Sequence, residues 1–163
     1  VLFRSHYGCF EAFKNATLSE FHDCDFFIIC EGDCLIETDI TVFTAVVEAS
    51  CQTILDHSIG YMSFGDKALL ENGWVQSPVI EEVNDSLYIT NNIIGIQCIM
   101  FPIGVANYLK GQFRTHKWDA ADYFFNIVMR NSGMKMGIVH ERLTTQADGF
   151  SLIDKTDKTF IKK

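Results

Sequence analysis

The stretch Asp25 to Glu37, DFFIICEGDCLIE, constrains this chain more than any other, because an apolar strand runs straight into carboxylates. Phe26 to Cys30 form an unbroken apolar run. A strand with one wet face would alternate, so the run predicts a central parallel strand covered on both faces. Glu31, Gly32 and Asp33 follow at once. In an open α/β sheet, ligands bind outside the carboxyl ends of the strands. Two carboxylates on a tight turn can hold Mg²⁺ or Mn²⁺ and leave coordination positions for phosphate oxygens. The same residues also fit a solvated turn in which Gly32 supplies a positive φ.

The rest of the chain supplies the parts of one α/β domain. From Gly8 to Phe21, residues Phe10, Phe13 and Phe21 fall near helical spacing and predict an amphipathic helix. Asp39 can cap a helix running to about Leu55, with Phe43, Val46, Val47, Cys51 and Ile54 on one side. Ile59 to Phe64 reads as a strand, and Val79 to Val83 with Leu87 to Thr90 flank Asn84-Asp85-Ser86 as a hairpin. Gly95 to Phe101 is a further strand, after which Pro102 opens a helix through about Gln112. Tyr123, Phe124, Ile127 and Val128 give another apolar helical face that Gly133 ends, and Met134 to Val139 make the last strand. A polar loop is expected from Glu141 to Ser151. This order predicts a single domain, residues 1–163, with a mixed central sheet.

Composition narrows the function classes. The 163 residues suffice for one core, and 48% hydrophobic residues with 14 Phe and only 2 Pro describe a packed protein rather than a disordered one. A net charge of -8, with no basic run before the short Lys162-Lys163 end, argues against a nucleic-acid-binding surface. No apolar run approaches the roughly 20 residues of a membrane helix. The six cysteines, at 9, 24, 30, 34, 51 and 98, form no CxxC pair and lie mostly in apolar elements. They read as buried free thiols, with no zinc bound, in a reducing, cytoplasmic compartment. His6, His22 and His57 fall on surfaces and turns and receive no chemistry. Leu2-Phe3-Arg4-Ser5 reads like the translation of a sequencing adaptor, so Val1 to Ser5 are expected to be foreign and the domain N-terminally truncated.

The run FFIICEGDCLIETDI resembles the apolar-strand, Glu-Asp-Asp segment of the lipopolysaccharide-biosynthesis glycosyltransferases, a family that includes collagen galactosyltransferase domains. More broadly it is similar to the DxD motif of GT-A glycosyltransferases, with Gly32 in place of the middle acid. Tyr7-Gly8-Cys9 resembles the opening of that family's helix, without the Ser-His that follows there. The resemblance implies a GT-A-like, Rossmann-like fold and transfer of a sugar from a nucleotide-sugar donor to a glycan or glycolipid hydroxyl. It implies Asp33, with Glu31, as ligands of Mn²⁺ or Mg²⁺. It also implies Asp122 or Asp119 as the base at the start of a late helix, beside Trp118 as a substrate contact. The bland reading of that helix start, Asp119 as cap and Asp122 three residues on, stands beside it. Arg142 and Gln146, in the expected closing loop, are implied contacts to the donor phosphates. His140 as a further ligand and Trp74 as a sugar-stacking ring are each weighed against purely structural roles. The competing functions are a nucleotide- or carbohydrate-binding domain without turnover and a metal-dependent phosphohydrolase.

Overall fold

The computed structural model describes residues 26–31, 34–65, 79–84, 87–93, 97–113, 121–139, 143–146, 149–151 and 156–158. In chain order these form β1 (Phe26–Cys30), β2 (Cys34–Ile36), α1 (Ile40–Asp56), β3 (Ile59–Ser63), β4 (Val79–Asn84) and β5 (Leu87–Thr90). There follow β6 (Cys98–Pro102), α2 (Ile103–Phe113), α3 (Ala121–Ser132), β7 (Lys135–Val139), β8 (Thr144–Gln146), β9 (Gly149–Ser151) and β10 (Thr156–Lys158). The helix expected from Gly8 to Phe21 lies outside the described residues.

Six strands make the main sheet, in the order β1-β6-β3-β7-β5-β4. β6 runs antiparallel to both β1 and β3, and β3 is parallel to β7. Strands β1, β3 and β7 therefore point the same way, and their carboxyl ends share one edge of the sheet. The mixed α/β architecture agrees with the sequence. One detail does not: β1 is an edge strand among the described residues, with β6 as its antiparallel neighbour, not a central parallel strand. The apolar run reflects cover on both faces rather than position in the sheet. Phe26 packs into one core and Phe27 into the other, while Ile28 remains 39% exposed.

Side-chain alternation along the strands divides the interior into two cores. On one face Cys98, Met100, Met62, Phe64, Leu87 and Ile89 meet the helix α1 through its Phe43, Val46, Val47, Cys51 and Ile54. On the other, Ile99, Phe101, Tyr61, Met136 and Ile138 meet Ala106 and Leu109 of α2 and Phe124, Phe125, Val128 and Met129 of α3. Ile59 and Tyr61, two residues apart, face opposite cores because the β3–β7 register shifts between them. The aromatic centre of the second core is a tilted triad, Tyr61, Phe101 and Phe125, with ring centroids 5.5 to 6.0 Å apart.

Local chemistry sets the helix limits. Asp39 caps α1 by accepting a hydrogen bond from the Thr41 N–H at 2.7 Å. His57 ends the helix, and Ser58 takes φ 54°, the left-handed turn that redirects the chain into β3. Gly133, at φ 71°, performs the same reversal between α3 and β7. Pro102 is the last residue of β6 rather than the opening of α2, which begins at Ile103. The segment expected as a polar loop instead carries β8 and β9. β8 pairs with β2 in a small second sheet, and β9 pairs with β10. No helix among the described residues is long and apolar enough to cross a membrane.

Candidate functional site

The edge at which β1, β3 and β7 end collects most of the chemistry of the described residues. Glu31 continues the β1 ladder by one step, its N–H donating to the Gln97 carbonyl at 2.8 Å. The Cys34 N–H then donates to the Glu31 carbonyl at 3.0 Å, so the chain returns immediately and enters β2. β2 is held there by β8, and β8 in turn hangs from β3: the Phe64 carbonyl accepts from the N–H groups of both Leu143 (3.0 Å) and Thr144 (3.2 Å). Gly65 makes this approach possible, because a Cβ there would collide with the Thr144 hydroxyl.

Alternation places the thiols and the carboxylate on opposite faces of the end of β1. Cys30 pairs in register with Cys98, and Cys34 packs against the same core as Cys98, beneath α1. Glu31, one residue on, belongs to the face covered by α2 and α3. The Sγ atoms of Cys30, Cys34 and Cys98 lie within 4.8 Å of one another, with Cys30 and Cys98 3.4 Å apart. Cys98 is buried, Cys34 is half-buried and Cys30 is exposed. Full burial, expected for these thiols, thus holds for Cys98 alone. Edge position explains the difference, since among the described residues β1 and β2 are each paired on one side, whereas β6 is paired on both.

The three thiols share charge unequally. Hydrogen bonds from Cys34, and then from Cys98, favour a thiolate at Cys30 and hold its pKa well below the ordinary thiol range, against the opposing effect of burial. Cys34 is pushed up, mainly by its hydrogen bond to Cys30. Cys98 is pushed up by its hydrogen bonds to Cys30 and Cys34 and then by desolvation.

The expected site residues are placed as follows. Glu31 stands at the carboxyl end of β1. Asp33, Trp118, Asp119, Arg142, His140 and Trp74 lie outside the described residues. Asp122 is in the first turn of α3 and Gln146 is the last residue of β8, paired through its backbone with Cys34. Because α3 leads through Gly133 into the start of β7, its C-terminus lies at the far edge. Along the helix, Phe125 packs on Tyr61 and Phe101, and Asn126 bonds the backbone of Ile93, just past the end of β5. Two polar groups at the edge where Glu31 stands, Gln97 Oε1 and Ser63 Oγ, are buried without a hydrogen-bond partner among the described residues.

A cleft of about 630 Å³ lies between α1 and the sheet, lined by Val42, Ala45, Val46, Met62, Leu87 and Val139 among others. It is apolar and contains neither the thiols nor Glu31. No protein-family model matches the chain, and no curated protein sequence matches it. The residues themselves carry the functional reading.

Proposed function

We propose that this chain is a metal-dependent glycosyltransferase domain of the GT-A kind, moving a sugar from a nucleotide-sugar donor to a glycan or glycolipid hydroxyl. The observation that carries the reading is the convergence of three parallel strand ends on one edge, with Glu31 leaving β1 there. That is the place where open α/β sheets bind ligands. Asp122 lies in the first turn of α3, a helix that packs on the face to which Glu31 belongs. Gln97 Oε1 and Ser63 Oγ, buried without a partner among the described residues, support a polar occupant, since an unsatisfied buried group costs about 1–3 kcal/mol.

The oxygen donors of Glu31 and Asp33 suit a hard cation such as Mn²⁺ or Mg²⁺, whereas the adjacent thiols do not. When bound, such an ion neutralises the departing diphosphate. Glu31 and Asp33 would hold it at the strand end. Arg142 and Gln146 would contact the donor phosphates, Trp118 would pack on the sugar, and Asp122 or Asp119 would take the acceptor proton.

The test is Mn²⁺-dependent turnover of UDP- and GDP-sugars by the wild type, Asp33→Asn, Asp119→Asn and Asp122→Asn, with thermal melts alongside. Asp33→Asn is expected to lose on the order of 10²- to 10³-fold in rate with its fold retained. Near-normal turnover in Asp33→Asn would reject the metal assignment. Donor binding without turnover in the wild type would instead favour a binding domain.

A further inference from the structure

We propose that Cys30, Cys34 and Cys98 form a three-thiolate site for a thiophilic divalent metal ion, Zn²⁺, distinct from the carboxylate site on the other face of the β1 end. The three sulfurs come from three separate strands, yet all lie within 4.8 Å of one another. Zinc–thiolate bonds of about 2.3 Å place sulfurs about 3.8 Å apart in a tetrahedral site. The cluster brackets that spacing. Cys30 and Cys98, at 3.4 Å, need to part by about 0.4 Å. Cys30 is exposed at an edge strand and has that freedom, whereas Cys98 is fixed in the core.

The donor set selects the ion class. Soft thiolates prefer Zn²⁺ or Cu⁺ over Mg²⁺ or Mn²⁺. No His, Asp or Glu among the described residues joins the three sulfurs within the same distance, so the described residues supply three ligands to the ion. Binding of one divalent ion to three thiolates leaves a site charge of −1 and releases protons only from the thiols that still carry them. Cys51 serves as a built-in control. It is carried by α1 and packs against the same core, but its thiol donates to the Val47 carbonyl at 3.4 Å and lies outside the cluster.

The site also has a consequence for the acidic turn. Cys30 and Cys34 bracket Glu31-Gly32-Asp33, so an ion bound to both sulfurs pins the two ends of the segment that carries the carboxylates. This consequence rests on the transferase reading; the binding site does not.

The experiment titrates the reduced, metal-free chain with Co²⁺ alone, as a spectroscopic stand-in for Zn²⁺. The expected result is thiolate-to-cobalt charge-transfer absorption in the near ultraviolet, saturating at a single equivalent and bleached by Zn²⁺. Second-ligand-shell changes alone typically weaken metal sites 10- to 100-fold, so removing a ligand by Cys34→Ser or Cys30→Ser is expected to weaken cobalt binding by at least about 100-fold. Cys51→Ser is expected to leave the titration unchanged. Cys30 and Cys34 are partly exposed, so their serine variants retain the fold, which circular dichroism checks; Cys98→Ser, in the core, is not needed. Absence of the charge-transfer band would overturn the proposal. So would a band that survives both Cys30→Ser and Cys34→Ser, or recovery of a Cys30–Cys98 disulfide by a chain that takes up no cobalt after reduction. Because the readout is metal uptake, its failure leaves the transferase reading intact, and loss of donor turnover leaves the thiol site intact.

Discussion

Gly65→Ala tests whether the second sheet, and with it Cys34, is held in place by a single close approach. A Cβ at residue 65 would overlap the Thr144 hydroxyl and sit 3.0 Å from the Thr144 carbonyl oxygen. Thr144 is fully buried, so its hydroxyl has no open rotamer to swing into, and the carbonyl belongs to β8 itself. Overpacking of this kind costs about 1–3 kcal/mol. If β8 retreats instead, the hydrogen bonds from Leu143 and Thr144 to the Phe64 carbonyl lengthen, at about 0.5–1.5 kcal/mol each. Reduced entropy of the unfolded chain returns about 0.4–1 kcal/mol, so by either route the net destabilisation is about 1–2 kcal/mol. Urea unfolding measures the total, and amide exchange at Leu143 and Thr144 is expected to accelerate more than exchange in β3. The mechanism has its own check in a double-mutant cycle. Thr144→Ala removes the hydroxyl that the new Cβ meets, so Gly65→Ala is expected to cost at least about 1 kcal/mol less in that background. Equal cost in both backgrounds would refute the reasoning.

Asn126→Ala is expected to destabilise by about 2–4 kcal/mol in urea unfolding. The buried Asn126 amide accepts from the Ile93 N–H at 2.8 Å and donates to the Ile93 carbonyl at 2.7 Å, and its loss orphans both backbone groups. For the metal-free thiol cluster, the stability gap between wild type and Cys34→Ala is expected to widen as pH rises toward the ordinary thiol value of about 8.5 and to narrow above it. Below that pH the lowered Cys30 releases its proton in the folded state first; above it the raised Cys34 and Cys98 keep theirs while the unfolded chain loses them. Stability curves from pH 5 to 10 measure this, and a gap that rises monotonically would contradict it.

How much of the fold was legible depended on how local each signal was. The α1 cap at Asp39, its apolar face from Phe43 to Ile54, the β4–β5 hairpin and the stop at Gly133 are each written within a few residues, and all stand in the structure. The strand β1 was legible as a strand but not as an edge. Apolar content reports cover on both faces, which Phe26 and Phe27 receive from two cores, and is silent about whether a neighbour lies on each side. β2 and β8, three residues each, are too short for a two-residue period to show, so Cys34 to Ile36 passed as part of the turn and Thr144 to Gln146 as loop.

The same distinction divides the candidate site. An acid after an apolar strand is a local pattern, and Glu31 stands at that strand end. The thiol cluster is a pattern of register. Half of it was present in the sequence as Cys30 and Cys34 on either side of the acidic turn, with three residues between them where a CxxC search allows two. The other half arrives through the β1–β6 ladder, which sets Cys30 opposite Cys98. A slip of that ladder by one residue would turn Cys98 to the face of Ile99 and leave Cys30 opposite an apolar side chain. What fixes the register is the distribution of Phe27, Ile29, Ile99 and Phe101 into one core and of Phe26, Cys98 and Met100 into the other. The thiols meet because the apolar residues on either side of them can be sorted between two cores in only one way, so the packing that hides Cys98 also creates the cluster.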